Sequence, residues 1–195
     1  MFNLISRKLA NSLTTELGYN DDKGEIISYA IETALLAILG ALLIVVLSYV
    51  LNVFLSTVIA AAFGGLLRRV SGGAHFNTPY KCLAFGAIIY CALGILAVRI
   101  VEYNLANTYF LLLLLLVALL IVYYLAPVDS EAKPIHSKTL KMKLKTLSVV
   151  FVIISLVIIQ SSSNQLFTVS AVLGVIYQCI TLLPIFNKKG GELDS

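Results

Sequence analysis

Four stretches without a single Asp, Glu, Lys or Arg dominate this chain: residues 33–67, 82–98, 103–128 and 146–187, together 120 of 195 positions. A helix that crosses the hydrocarbon core of a bilayer needs about 20 apolar residues. Lipid supplies no hydrogen-bond partner, so a spanning segment must satisfy its backbone internally, as a helix does. The runs therefore predict an all-α polytopic membrane protein of about six transmembrane helices, with little left for a soluble domain. Composition agrees. Charged residues make up 12% of the chain, against about 25% in soluble proteins, which argues against a soluble enzyme. The apolar excess and low net charge also exclude disorder.

The first run holds two spans, roughly 26–50 and 53–69, separated by the polar break Leu51-Asn52-Val53. Glu32 then lies in the first two turns of span 1, where it either snorkels to water or faces the bundle interior. Span 3 begins near Cys82, span 4 is centred on 111–120 and stops at Pro127 and Asp129, and the polar segment 160–165 separates spans 5 and 6. Span 5 extends back into the lysine-rich segment 141–145.

With six spans, the N-terminal segment, the 68–81 and 129–145 loops and the C-terminal tail share one side. They carry 13 of the 14 Lys and Arg residues, leaving only Arg99 opposite. The positive-inside rule makes that side cytoplasmic, so both termini are expected inside. Residues 1–22 form no signal-peptide h-region. Ile5, Leu9, Leu13 and Leu17 recur every four residues, with Arg7, Lys8, Asn11 and Glu16 on other faces, the pattern of an amphipathic interfacial helix that Gly18 and the acidic pair 21–22 end. It serves as an anchor or as a recognition element for a partner's amphipathic helix. The expected organisation is one integral membrane domain, 1–195, with functional loops at 68–82 and 129–145.

Three cysteines without a CxxC pair argue against a disulfide framework. Cys91 and Cys179 fall mid-span, where a thiol acts as a small hydrophobe. Cys82 is at the mouth of span 3, close in sequence to His75 in the segment Arg68-Arg69-Val70-Ser71-Gly72-Gly73-Ala74-His75-Phe76-Asn77-Thr78-Pro79-Tyr80-Lys81-Cys82. On one continuous helix, His75 and Cys82 would stand about 10.5 Å apart along the axis. Pro79 disfavours helix at Thr78 and suits a first helical position, making Thr78 the N-cap. Cys82 then lies near the positive end of the helix dipole, which favours a thiolate. Gly72 and Gly73 let the preceding chain fold back and carry His75 towards the sulfur. The arrangement suits a cysteine nucleophile with His75 as general base, supported by Arg68, Arg69 or Lys81. Backbone N–H groups at the helix start are candidate oxyanion donors. Asn77, Ser71, Glu32 and Asp129 are all candidates for a third, orienting group. The competing reading is a chance pairing of His and Cys at a boundary whose cations need no catalytic reason. A metal site is not expected, since the spacing is neither HExxH nor paired CxxC, and His136 reads as a solvated interfacial residue.

At these residues the chain resembles the accessory gene regulator protein B (AgrB) family of membrane cysteine endopeptidases in Gram-positive quorum sensing. The resemblance lies in Arg followed by a small-residue turn, Gly-Gly-x-His at 72–75, Cys82 seven residues after the His, and a second segment, Ala126-Pro127-Val128-Asp129 with Lys133-Pro134-Ile135. It implies a nucleophile at Cys82, a general base at His75 and a role for Lys133 in orienting or binding substrate. It also implies cleavage of an AgrD-like precursor peptide through an acyl-enzyme thioester, followed by ring closure to a thiolactone or lactone. The implied setting is the cell membrane, with a homodimer, no cofactor and no nucleic acid. The competing class is a peptide transporter or exporter without proteolytic activity. It would place ionisable groups at mid-membrane and often repeat its halves, whereas here only Glu32 approaches the first property and no repeat is evident.

Overall fold

The computed structural model describes residues 21–74, 78–128 and 137–187. Six α-helices follow one another: α1 (Asp21–Val50), α2 (Phe54–Ser71), α3 (Pro79–Glu102), α4 (Thr108–Leu125), α5 (Lys138–Ser161) and α6 (Gln165–Thr181), with a 3-10 turn at Pro184–Phe186 after the last. No strand occurs among the described residues. The first five are long and apolar enough to cross a membrane. At 17 residues, α6 is about 25 Å long, a little short of a hydrocarbon core of about 30 Å.

The boundaries follow local chemistry. Asn52 adopts φ 56° in the tight turn between α1 and α2, a conformation Asn tolerates better than most residues. Asn107 caps α4 by accepting from the Tyr109 and Phe110 N–H groups, and Asn164 caps α6 by accepting from Phe167 N–H. Leu125 is the last residue of α4, ahead of a cis Ala126–Pro127 bond. Two helices start earlier than the sequence pattern indicates. Helix α1 takes in residues 21–25, because acidic residues suit the positive N-terminal end of a helix dipole rather than ending it. Helix α5 reaches back to Lys138, with Ser137 as its N-cap. The expected amphipathic helix at 1–22 falls almost wholly outside the described residues.

Small residues set the helix packing. On α2, Ser56, Ala60, Gly64, Leu67 and Ser71 are buried; on α6, so are Ser170, Gly174 and Gln178. A Cβ on Gly174 would meet the Ala60 carbonyl oxygen at 2.2 Å, and one on Gly64 would meet the Gly174 carbonyl oxygen at 2.7 Å. The α2 and α6 backbones are therefore nearly in contact, the arrangement that small residues at four-residue spacing permit in membranes. Helix α3 joins through Gly94, whose added Cβ would come within 2.1 Å of Thr57 Oγ1. Phe63 meets Phe151 of α5 and Phe167 of α6 edge to face, with centroids 6.3 and 5.8 Å apart. Buried serines bond within their own helices: Ser148 Oγ donates to Leu144 O, Ser155 Oγ to Phe151 O and Ser170 Oγ to Leu166 O. This satisfies hydroxyls that lipid would leave unpaired. Large side chains such as Leu113, Leu116, Leu120, Ile154 and Val157 point outwards, where acyl chains solvate them. Helix α1 is almost entirely unburied along its apolar length and packs at the periphery, chiefly against α3.

Gly174→Ala is expected to destabilise the bundle by about 1–3 kcal/mol through overpacking. Gly65→Ala and Gly86→Ala, where an added Cβ meets nothing within 4 Å, should be neutral or stabilising. Unfolding in mixed micelles separates the two outcomes.

Candidate active site at the α2–α3 connection

Pro79 opens α3 with Thr78 as N-cap in extended conformation, φ −119° and ψ 126°, although the Thr78 side chain makes no capping bond. Cys82 lies in the first turn, its N–H donating to Thr78 O at 3.3 Å. Cys82 is half-buried, whereas Cys91 and Cys179 are 4% and 1% exposed. The two mid-span thiols thus pack as small hydrophobes, and Cys82 alone is open to a reagent.

The approach to the cysteine from α2 is held tightly. Gly72 and Gly73 have φ 70° and 134°, backbone conformations that side chains other than glycine rarely adopt. Space demands glycine as well: a Cβ on Gly72 would fall 2.4 Å from Val128 O, and one on Gly73 would fall 2.7 Å from Thr181 Oγ1. Val128 N–H donates to Ser71 O at 2.9 Å and Ala74 N–H donates to Thr181 O at 3.1 Å. The segment after α2 is therefore tied both to the chain leaving α4 and to the end of α6, so these three helix ends share one face of the bundle.

Arg68 and Gln178 complete the knot. One Arg68 nitrogen, Nη2, donates to Ala74 O, and the other, Nη1, reaches Gln178 Oε1 at 3.5 Å. Gln178 Nε2 donates to Ser71 Oγ at 3.0 Å and to Gly72 O at 2.6 Å. The Tyr90 and Tyr177 rings meet edge to face, with centroids 5.4 Å apart. The Tyr90 hydroxyl, buried against Gly64, has no hydrogen-bond partner among the described residues.

Of the residues singled out from sequence, Arg68, Ser71, Gly72 and Gly73 are joined in this network, while Cys82 stands at the start of α3. Arg69 and Lys81 are exposed at the same end, and Glu32 is half-buried in α1. His75, Asn77, Asp129, Lys133 and His136 lie outside the described residues. Gln178, Thr181 and the tyrosine pair were not singled out. Gln178 carried a signal nonetheless, as an isolated amide inside an otherwise apolar helix, where a polar group must find a partner. Among the described residues no group of His, Cys, Asp or Glu is arranged to hold a metal.

The comparison with known families decides the assignment, because the accessory gene regulator B family matches residues 6–182. The chain belongs to the AgrB family. An AgrB-like protein of Clostridium perfringens (strain 13) is 28% identical across the whole chain and 97% of its own length. Accessory gene regulator protein B of Staphylococcus aureus (strain MRSA252) is 31% identical over 73% of each chain. No solved structure matches. Membership connects this AgrB chain with the accessory gene regulator system of quorum sensing, and its apolar helices agree with a place in the cell membrane.

Cys82 should react with a small maleimide at least about tenfold faster than Cys91 or Cys179 in intact micelles, as follows from its exposure and its place at a helix N-terminus. Peptide mapping after timed alkylation reads the three rates. Equal rates would contradict the described burial.

Proposed function

We propose that this AgrB protein is a membrane cysteine endopeptidase that cuts an AgrD-like precursor peptide at the C-terminal side of its signal segment. The observation that carries the reading is Cys82 at the start of α3, at the far end of an α2–α3 connection whose glycine turn Arg68 and Gln178 hold in place. In this reading the Cys82 thiolate attacks the scissile carbonyl, with the oxyanion accepting hydrogen bonds from backbone N–H groups at the helix start. The C–N bond breaks, and protonated His75 gives its proton to the leaving amine. The signal segment stays on Cys82 as a thioester. A Cys or Ser side chain within the peptide then loses its proton to His75, attacks the thioester carbonyl and expels the Cys82 thiolate, closing a thiolactone or lactone. Exclusion of water from the thioester favours the ring over a linear product.

In this orientation the face formed by the ends of α2, α4 and α6 is cytoplasmic, and so are both termini, as the distribution of Lys and Arg supports. An amphipathic precursor would concentrate at that interface, and exposed cations such as Arg69, Lys81, Lys138, Lys141 and Lys143 would attract an acidic tail. Asn77, Asp129 and Lys133 stand as candidates for orienting His75 or binding the tail, and a second copy of the chain as a candidate partner.

Cys82→Ala and His75→Ala are each expected to reduce precursor cleavage in proteoliposomes by at least about a thousandfold without impairing insertion. Wild-type protein quenched during turnover should yield a peptide thioester on Cys82 by mass spectrometry. Full cleavage by Cys82→Ala would falsify the peptidase reading and leave peptide transport as the reading to pursue. Arg69→Ala should weaken cleavage if Arg69 attracts the tail; unchanged kinetics would assign it to topology alone.

A further inference from the structure

Building on the peptidase reading, we infer that Gln178 is a positioning residue for this reaction: from α6 it fixes residues 71–74, the segment that leads directly into His75. Gln178 is 0% exposed, and both ends of its amide are used. Nε2 donates to Gly72 O and Ser71 Oγ, while Oε1 faces the Arg68 guanidinium. Oxygen opposite the cation and nitrogen opposite the carbonyl is the one amide orientation that satisfies these neighbours. The fit is close: a Cβ on Gly73 would lie 3.2 Å from Gln178 Nε2, so glycine at 73 lets the backbone reach the amide. Arg68 extends the hold by one residue, since its other nitrogen donates to Ala74 O. One buried side chain thus anchors the last turn before His75 to a different helix.

Glutamine has the chemistry this position needs. Glutamate would accept from Arg68 but offer no donor to Gly72 O. Leucine would fill the volume, leave Gly72 O unpaired, and release Arg68 from one of its two acceptors. Either change preserves the bulk of α6 but frees residues 71–74 to take up other conformations. Misplacing a catalytic group by about 1 Å typically costs about a hundredfold in rate, so the defect belongs in kcat.

The test uses full-length protein in proteoliposomes with an amphipathic precursor peptide bearing an acidic C-terminal tail. Gln178→Leu and Gln178→Glu are compared with wild type, and each is also made in a Cys91→Ala/Cys179→Ala background for alkylation of Cys82 by iodoacetamide across pH. Both variants should lose at least tenfold in kcat with KM within twofold, and the midpoint of Cys82 alkylation should move to higher pH as the histidine is displaced. Gln178→Glu covers the case in which the leucine variant does not insert. Wild-type kcat and an unshifted alkylation profile in either inserted variant would overturn the assignment. Loss of folding in both would also overturn it, since the residue would then be purely structural. A Cys82→Ala control separates the two levels. If that control still cleaves, the peptidase reading falls. If it is dead while the Gln178 variants behave as wild type, only the role of Gln178 falls.

Discussion

The rest of the structure depends on the close approach of α2 and α6. Lipid provides no hydrophobic force to press apolar helices together, so association rests on packing and on interhelical hydrogen bonds. Ala60, Gly64 and Gly174 remove the side chains that would hold the two backbones apart. The same approach brings Gln178 and Thr181, at the end of α6, beside Ser71, the last residue of α2, and Gly72, Gly73 and Ala74 just beyond it. A bulkier residue at the crossing would weaken the bundle and pull its polar end apart together.

That polar end shows how a protein with so few charges organises its candidate site. Arg68 is half-buried, which is costly without partners, and its partners are a backbone carbonyl and a side-chain amide. A neutral amide compensates the guanidinium by hydrogen bonding without cancelling its charge. By contrast, the ion pair of Arg99 with Glu102 sits on exposed side chains at the far end of α3. An exposed pair of this kind contributes little to stability.

Much of the fold was legible. The breaks at 51–53 and 160–165, the Pro79 start of α3 and the cysteine in its first turn can all be read from turn and cap chemistry, because these signals act over a few residues. The glycine turn at 72–73 was legible for the same reason. Residues 21–25 misled because acidic residues both end one helix pattern and suit the start of the next. Neither Gln178 as the partner of residue 72 nor Val128 as the neighbour of residue 71 could be foreseen. They lie over a hundred and over fifty positions away along the chain, and no local pattern encodes which helices touch.

The sequence by itself determined the class of molecule, the approximate limits of the six described helices, and the residue types at the α2–α3 connection. Solvation in lipid and backbone hydrogen bonding leave a chain of this composition few alternatives. Only the tertiary structure decided that α1 lies at the periphery, that α2 and α6 form the central contact, and that Arg68 turns inward to the loop while Arg69 remains exposed. Those outcomes depend on which small residues face one another across helices. Shape complementarity of that kind exists only once the chain has packed.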